Sequence, residues 1–164
     1  MSSLWNQESA PNTLHPVQSG HASPEQDDQV AAGHQFMRAF DDAWSRNDVD
    51  AAVALFAQDA VLESPLVQRL LHREVGVLHG QQEIREMVSA LMRSSKAWGG
   101  HGPPLIQGNT VAVEFKRASA EGEHYSVDII ELRDGKIQSL RAYLGWRALA
   151  ARPGDTPSRS ITRP

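Results

Sequence analysis

No cysteine occurs in this chain of 164 residues, so disulfides, thiolate-bound metals and cysteine nucleophiles are excluded. Positive charge is not in excess either: the formal net charge is -4 and no basic stripe appears that could displace counterions from a phosphate backbone, so nucleic acid is not an expected partner. No apolar run approaches the length of a membrane span, and the amino terminus has no basic region followed by an apolar core. A cytoplasmic protein without a membrane partner is the expectation. No two histidines fall at i, i+4 and no third ligand is evident, so no metal site is expected. There is no internal repeat.

What is present fits one domain flanked by two tails. Residues 1–22 carry Ser, Asn, Gln, Pro and Gly without apolar periodicity, and residues 152–164 are rich in Pro, Ser and Arg, so both read as disordered, leaving 23–151 as the folded unit. Ser23-Pro24-Glu25-Gln26 combines a capping Ser, Pro at the first helical position and Gln at the capping-box position, and predicts a helix to about Ser45. Val30, Met37, Phe40 and Trp44 recur at helical spacing as its buried stripe, Gly33 marks the close passage of something bulky, and Arg38, Asp41 and Asp42 face water. Asp48 caps a second helix from Val49 to Phe56.

Ala60 to Ser64 reads as a strand stopped by Pro65, and Leu66 to His79 as a loop or irregular hairpin. A third, amphipathic helix is predicted from Gln81 to Ser94. Trp98 to Pro104 is irregular, Leu105 to Gln107 opens a strand, and Thr110 to Arg117 alternates as another. Helices followed by antiparallel strands give an α+β layout, the helices packed on one face of a curved sheet.

The most informative stretch is Tyr125 to Trp146, two long strands joined at Arg133-Asp134-Gly135-Lys136. Alternation places Asp128, Ile130 and Leu132 on one face and Tyr125, Val127 and Ile129 on the other. The turn allows two registers. A two-residue Asp-Gly loop sets Asp128 opposite Arg141 as an ordinary ion pair. A three-residue Arg-Asp-Gly loop pairs Leu132 with Lys136 and sets Asp128 opposite Leu140, on an apolar wall continued by Ala142 and Leu144. One residue of slip exchanges the faces of the whole second strand, so alternation leaves both open.

The segments NDVDAAVALFAQDAVLESP, HGQQEIREMV and VDIIELRDGKIQSLRAYLGW resemble the NTF2-like superfamily, in particular its SnoaL-like and ketosteroid-isomerase-like branches, over about Gln29 to Trp146. The resemblance implies a cone-shaped, cystatin-like fold, a curved antiparallel sheet wrapped around a long N-terminal helix, with a hydrophobic pocket inside and a homodimer through the outer sheet face. It favours the three-residue turn and puts Asp128 inside the cone, at the position where ketosteroid isomerases keep a protonated acid as an oxyanion-hole donor, the worked case of a carboxyl held neutral by an apolar site. Other positions depart from that enzyme: Phe40 stands at its hydrogen-bonding Tyr and Ser64 at its proton-moving Asp, which a neutral Ser cannot replace unaided. Limonene-epoxide hydrolases place an Asp after the Arg of the last strand; here Ala142 follows Arg141.

The resemblance thus implies a catalytic set of Asp128 with His101 or His72 as proton acceptor (His124 being a further titratable group), and a ligand lining of Phe40, Trp44, Leu62, Ser64, Ile130, Leu140, Ala142, Leu144 and Trp146. No cofactor is implied. Glu63 is expected to face solvent or a neighbouring strand, Glu114 to form a cross-strand pair rather than enter the cone, and Tyr143 to belong to a dimer contact. Three functions fit: acid-base chemistry (isomerase, cyclase or hydrolase type) on a hydrophobic small molecule bearing a carbonyl or epoxide oxygen; a non-catalytic small-molecule binder; and a homodimerising module whose cone is filled core. An open cavity with a second titratable group beside Asp128 points to the first, Asp128 alone to the second, a cone plugged by Phe40, Trp44 and Trp146 to the third.

Overall fold

The computed structural model describes residues 23–94, 100–119 and 122–145. The predicted tails, Trp98, Trp146 and the side chain of His124 lie outside the described residues. Helix α1, Pro24–Ser45, starts on the predicted capping box, with Ser23 N–H donating to Gln26 Oε1 at 2.9 Å and Gln26 N–H to Ser23 Oγ at 3.4 Å. Burial begins only at Gly33 and continues through Phe36, Met37, Phe40 and Ala43. Val30, predicted to face inward, is 38% exposed because the first turns of α1 precede the part that packs on the sheet. Gly33 is where β3, Leu105–Gln107, crosses: a Cβ there would lie 2.9 Å from Ile106 Cδ1.

Asn47, with φ 57°, ends the helix region, and the Asp48 carboxylate accepts from Ala51 N–H at 2.9 Å to start α2, Val49–Ala54. Phe56, expected to close that helix, instead opens β1, Phe56–Glu63. Ser64 is extended (φ -159°), and Pro65 then begins α3, Pro65–Leu71, with Ser64 Oγ accepting from Leu66 N–H at 3.2 Å. The reading of Leu66 to His79 as loop or hairpin is therefore corrected: a short helix and a strand, β2 at Val77–His79, occupy it, because the Ser-Pro pair caps a helix as readily as it stops a strand. Helix α4, Gly80–Ser94, buries Ile84, Met87 and Val88.

One six-stranded sheet in the order β2-β1-β6-β5-β4-β3 contains β4 (Thr110–Ser119), β5 (Gly122–Arg133) and β6 (Lys136–Leu144). Neighbours are antiparallel except β1 and β6, which run parallel. The β5–β6 connection corrects both predicted registers. Asp134 (φ 53°) and Gly135 (φ 72°) make a two-residue turn, with Arg133 opposite Lys136, the geometry that Asp-Gly favours. A bulge then intervenes: Leu132 pairs with Ile137 but Glu131 with Ser139, so Gln138 is an extra residue on β6. The bulge cancels the slip of the shorter turn and sets Asp128 opposite Ala142 and Ile130 opposite Leu140. Asp128 thus shares a face with Leu140, Ala142 and Leu144, as the three-residue turn would have arranged, although the turn has two.

Val111, Val113, Phe115, Ile130 and Ile137, each at most 2% exposed, form the inner face against α1 and α4. Phe40 lies at the centre of the aromatic packing, its ring 5.8 Å from Phe115, 6.0 Å from Phe36 and 5.7 Å from Trp44. Among the described residues no helix is long and apolar enough to cross a membrane.

Candidate functional site

Among the described side chains of β5, Ser126, Asp128 and Ile130 are buried, while Val127 and Ile129 are half-buried on the opposite face. Asp128 is 7% exposed and Ser126 3%. Both line a narrow cavity of about 50 Å³ between the sheet, α1 and α4. Ser64, at the junction of β1 and α3, is the third polar residue of that lining and is 3% exposed. Among the described residues of the lining, Asp128 is the ionisable one. The Ser126 hydroxyl is buried with no hydrogen-bond partner among the described residues, which leaves a donor and an acceptor directed at whatever enters.

Of the residues expected to line the cone, Phe40, Trp44, Leu62 and Ser64 border the cavity, and so do Leu140, Ala142 and Leu144. Ile130 lies behind them, fully buried in the core. Phe56, Leu66, Met87, Val88, Leu91 and Ser126 complete the lining. Ser126 could have been found from the sequence, two positions before Asp128 on the same face of the strand. Phe56 was hidden by its assignment to a helix.

Arg141, the partner that a plain Asp-Gly hairpin would give Asp128, points to the outer face, where its guanidinium donates to Glu131 at 2.7 Å. That hydrogen bond holds the Glu131 carboxyl below the usual carboxylate range and raises the Arg141 pKa. Glu63 and Glu114 are exposed, and Tyr143 and Tyr125 are 57% and 44% exposed on the outer face.

The histidines are elsewhere. His72 is exposed at the C-cap of α3 in the left-handed conformation (φ 54°). His101 lines a separate shallow hollow with Arg38 and Asp41, its Nε2 2.9 Å from Asp41 Oδ2 and its Nδ1 against Gly102 O. Neither borders the Asp128 cavity. Asp41, expected to face water, is half-buried by this pairing. Both ring nitrogens of His101 face acceptors, and only the imidazolium donates from both. Burial works against its charge, but the hydrogen bonds to Gly102 O and Asp41, with the carboxylate's charge, outweigh it and raise the pKa above the ordinary histidine value.

A pKa raised in the folded state stabilises fully below the unfolded value, about 6.5 for histidine, and the gain is lost as pH rises through the folded value. Stability should therefore decline from pH 6 to above 7 by about 0.5 kcal/mol, a small figure because water screens the half-exposed pair. Denaturant titrations of wild type and His101→Gln at several pH values test this: the slope should vanish in the variant, and an unchanged slope would remove the pair as its cause.

Ser64 is positioned by its backbone. Its N–H donates to Gly76 O at 2.8 Å, and a Cβ on Gly76 would come 2.9 Å from Ser64 O. Gly76→Ala must push the backbones at Gly76 and Ser64 apart, at a cost of about 1–3 kcal/mol, as for overpacking generally. Chemical denaturation measures it, and a loss below about 0.5 kcal/mol would show that the strands yield freely. Among the described residues no group of three His, Asp or Glu side chains could hold a metal ion.

Residues 37–140 match the SnoaL-like domain family. Comparison with curated proteins finds no match. Similar solved structures include a SnoaL-like protein of unknown function from Burkholderia thailandensis, 20% identical with a TM-score of 0.61, covering 70% of this chain and 95% of that one. An NTF2-like protein from Anabaena variabilis is 18% identical with a TM-score of 0.59, covering 77% of this chain and 96% of that one. A candidate polyketide cyclase from Sinorhizobium meliloti is 22% identical with a TM-score of 0.55, covering 66% of this chain and 93% of that one. At these identities the likeness is one of fold, and a single fold hosts unrelated activities.

Proposed function

The chain belongs to the SnoaL-like domain family, and from that premise we propose that it is a cofactor-independent acid-base enzyme acting on a small hydrophobic molecule with a carbonyl or epoxide oxygen. The observation that carries this reading is Asp128, 7% exposed and set in a wall otherwise made by apolar side chains and two serines. Burying a carboxyl is costly, and function is a common reason for doing so. Because His72 and His101 lie outside the lining, the expected two-group site is not met, and the catalytic reading requires Asp128 to carry both proton transfers itself. Asp128 takes a proton from carbon beside the carbonyl, the enolate oxygen receives a hydrogen bond from a serine hydroxyl, and Asp128 returns the proton at a new position. Isomerisation and ring closure both follow that course.

The test is proton exchange. Incubation with small cyclic ketones and 1,3-diketones in deuterated water should give protein-dependent deuterium uptake at the carbon beside the carbonyl, followed by NMR. A second reading, ligand binding without turnover, draws support from Asp128 being the one ionisable residue of the described lining, although the cavity's 50 Å³ lies well below the roughly 300–1,000 Å³ of ordinary ligand sites. Ligand shifts without exchange would select it. We further propose that the outer sheet face, where Tyr125 and Tyr143 are exposed, joins a second copy; sedimentation that stays monomeric at high concentration would overturn this.

A further inference from the structure

The cavity at Asp128 is too small to hold a ligand alone, but it does not stand alone. On the far side of Ser64, Ala142 and Leu144 lies a groove of about 450 Å³, also lined by Glu63, Gln68 and Tyr143. The same three residues line both hollows, which are therefore neighbours. The topology explains the gap. The last residues that β1 and β6 pair are Glu63 and Arg141; β1 then turns at Ser64-Pro65 into α3 while β6 continues to Leu144. Between the departing helix and the end of β6 the sheet is left without a β1 partner for Ala142–Leu144. Ala142, directly opposite Asp128, puts only a methyl group in that gap. Inner cavity and groove together fall within the volume range of ligand sites.

We infer that the ligand site is bipartite: a compact head reaches Asp128 and Ser126 through the side of the cone at Ser64 and Ala142, and an uncharged hydrogen-bonding arm lies in the groove along Glu63, Gln68 and Tyr143. This rests on Asp128 being the ligand-binding group, as proposed above. The charges of the groove define the arm. Among the described residues of the groove, Arg141 is the one guanidinium and is already bound to Glu131 at 2.7 Å, whereas Glu63 forms no ion pair among the described residues. The groove therefore repels carboxylate and phosphate arms and accepts hydroxyl or amide groups, for which the Tyr143 hydroxyl and the Gln68 side-chain oxygen are hydrogen-bonding partners, Gln68 Nε2 already donating to Glu74 O at 2.6 Å. Ser126, buried without a partner, gives the head a second contact one strand repeat from Asp128.

Binding of phenol, 4-(2-hydroxyethoxy)phenol and 4-hydroxyphenoxyacetate, measured by ligand-observed NMR titration against the full-length protein, tests the inference. The hydroxyethoxy probe should bind about tenfold tighter than phenol, the gain of one or two hydrogen bonds, and the carboxylate probe should lose that gain. Glu63→Gln, at an exposed position where folding is not at stake, should bring the two armed probes together. Ala142→Leu should abolish the advantage of the arm, with the melting temperature recorded alongside; if that variant does not fold, Glu63→Gln decides. An arm that adds nothing, or a neutral-to-anionic ratio that Glu63→Gln leaves unchanged, overturns the groove. Asp128→Asn separates the two failures. Phenol binding weakened in that variant while the arm has no effect sinks only the groove, whereas phenol binding indifferent to Asp128→Asn, or no binding of any probe, sinks the reading beneath it as well.

Discussion

Asp128→Asn should abolish proton exchange, with a loss of about 10²- to 10⁴-fold, the range that a positioned general acid or base contributes. The substitution keeps the volume and planarity of the side chain, so stability should change by less than about 1 kcal/mol. That combination separates chemistry from architecture. If Asp128 only anchors a ligand, the amide still offers a hydrogen bond, and affinity falls by about tenfold or less with no exchange to lose. If the side chain is a structural element, the melting temperature falls and activity follows in proportion. Exchange that continues at the wild-type rate in a folded Asp128→Asn protein would end the catalytic proposal, whatever the cavity holds.

Phe115→Ala should give the largest loss of stability. The ring is 1% exposed, pairs in register with Ser126 and meets Phe40 at a centroid distance of 5.8 Å and the edge of His101 at 5.9 Å. Removing it costs about 3–5 kcal/mol from lost transfer energy and the cavity left behind, a large part of the roughly 5–15 kcal/mol that holds a domain together. It also removes the ring that Phe40 packs against, so the helix side of the cavity at Asp128 loses support. Urea titration measures the cost. A loss below about 2 kcal/mol would mean that Phe40 and Phe36 collapse into the space and that the cone is more plastic than its packing implies.

The helices were legible because their starts are written in adjacent residues: Ser23-Pro24 with Gln26, and Asp48 before Val49, carry their own caps. Helix α3 was missed because its Ser-Pro start doubles as a strand stop and its seven residues are too few for a clear period. The hairpin was legible in outline but not in register, since the turn sequence specifies Asp134 and Gly135 while the bulge at Gln138 answers to packing across the sheet, with Ile137 fully buried and its N–H donating to Leu55 O at 2.8 Å. For the site, period-two alternation was enough to find Asp128 and would have found Ser126. It could not find the Asp41–His101 pair, whose members are 60 positions apart and come together only when β4 and the segment before it lie along α1. Nor could it foresee that β1 runs parallel to β6 and leaves it at Ser64.

Gln138 has a bearing on inheritance as well as on shape. Because side chains alternate strictly, a strand carries an odd-or-even message, and one supernumerary residue reverses everything downstream of it. Were Gln138 drawn into regular pairing, Arg141 and Tyr143 would turn toward the interior, Ala142 and Leu144 would turn outward, and a guanidinium would confront Asp128, whereas deleting Gln138 outright would leave every partner downstream as it is. The faces of β6 thus depend on a bulge remote from Asp128, and a residue inserted into or removed from the strand beyond it, more than a substitution, is the event that would exchange them.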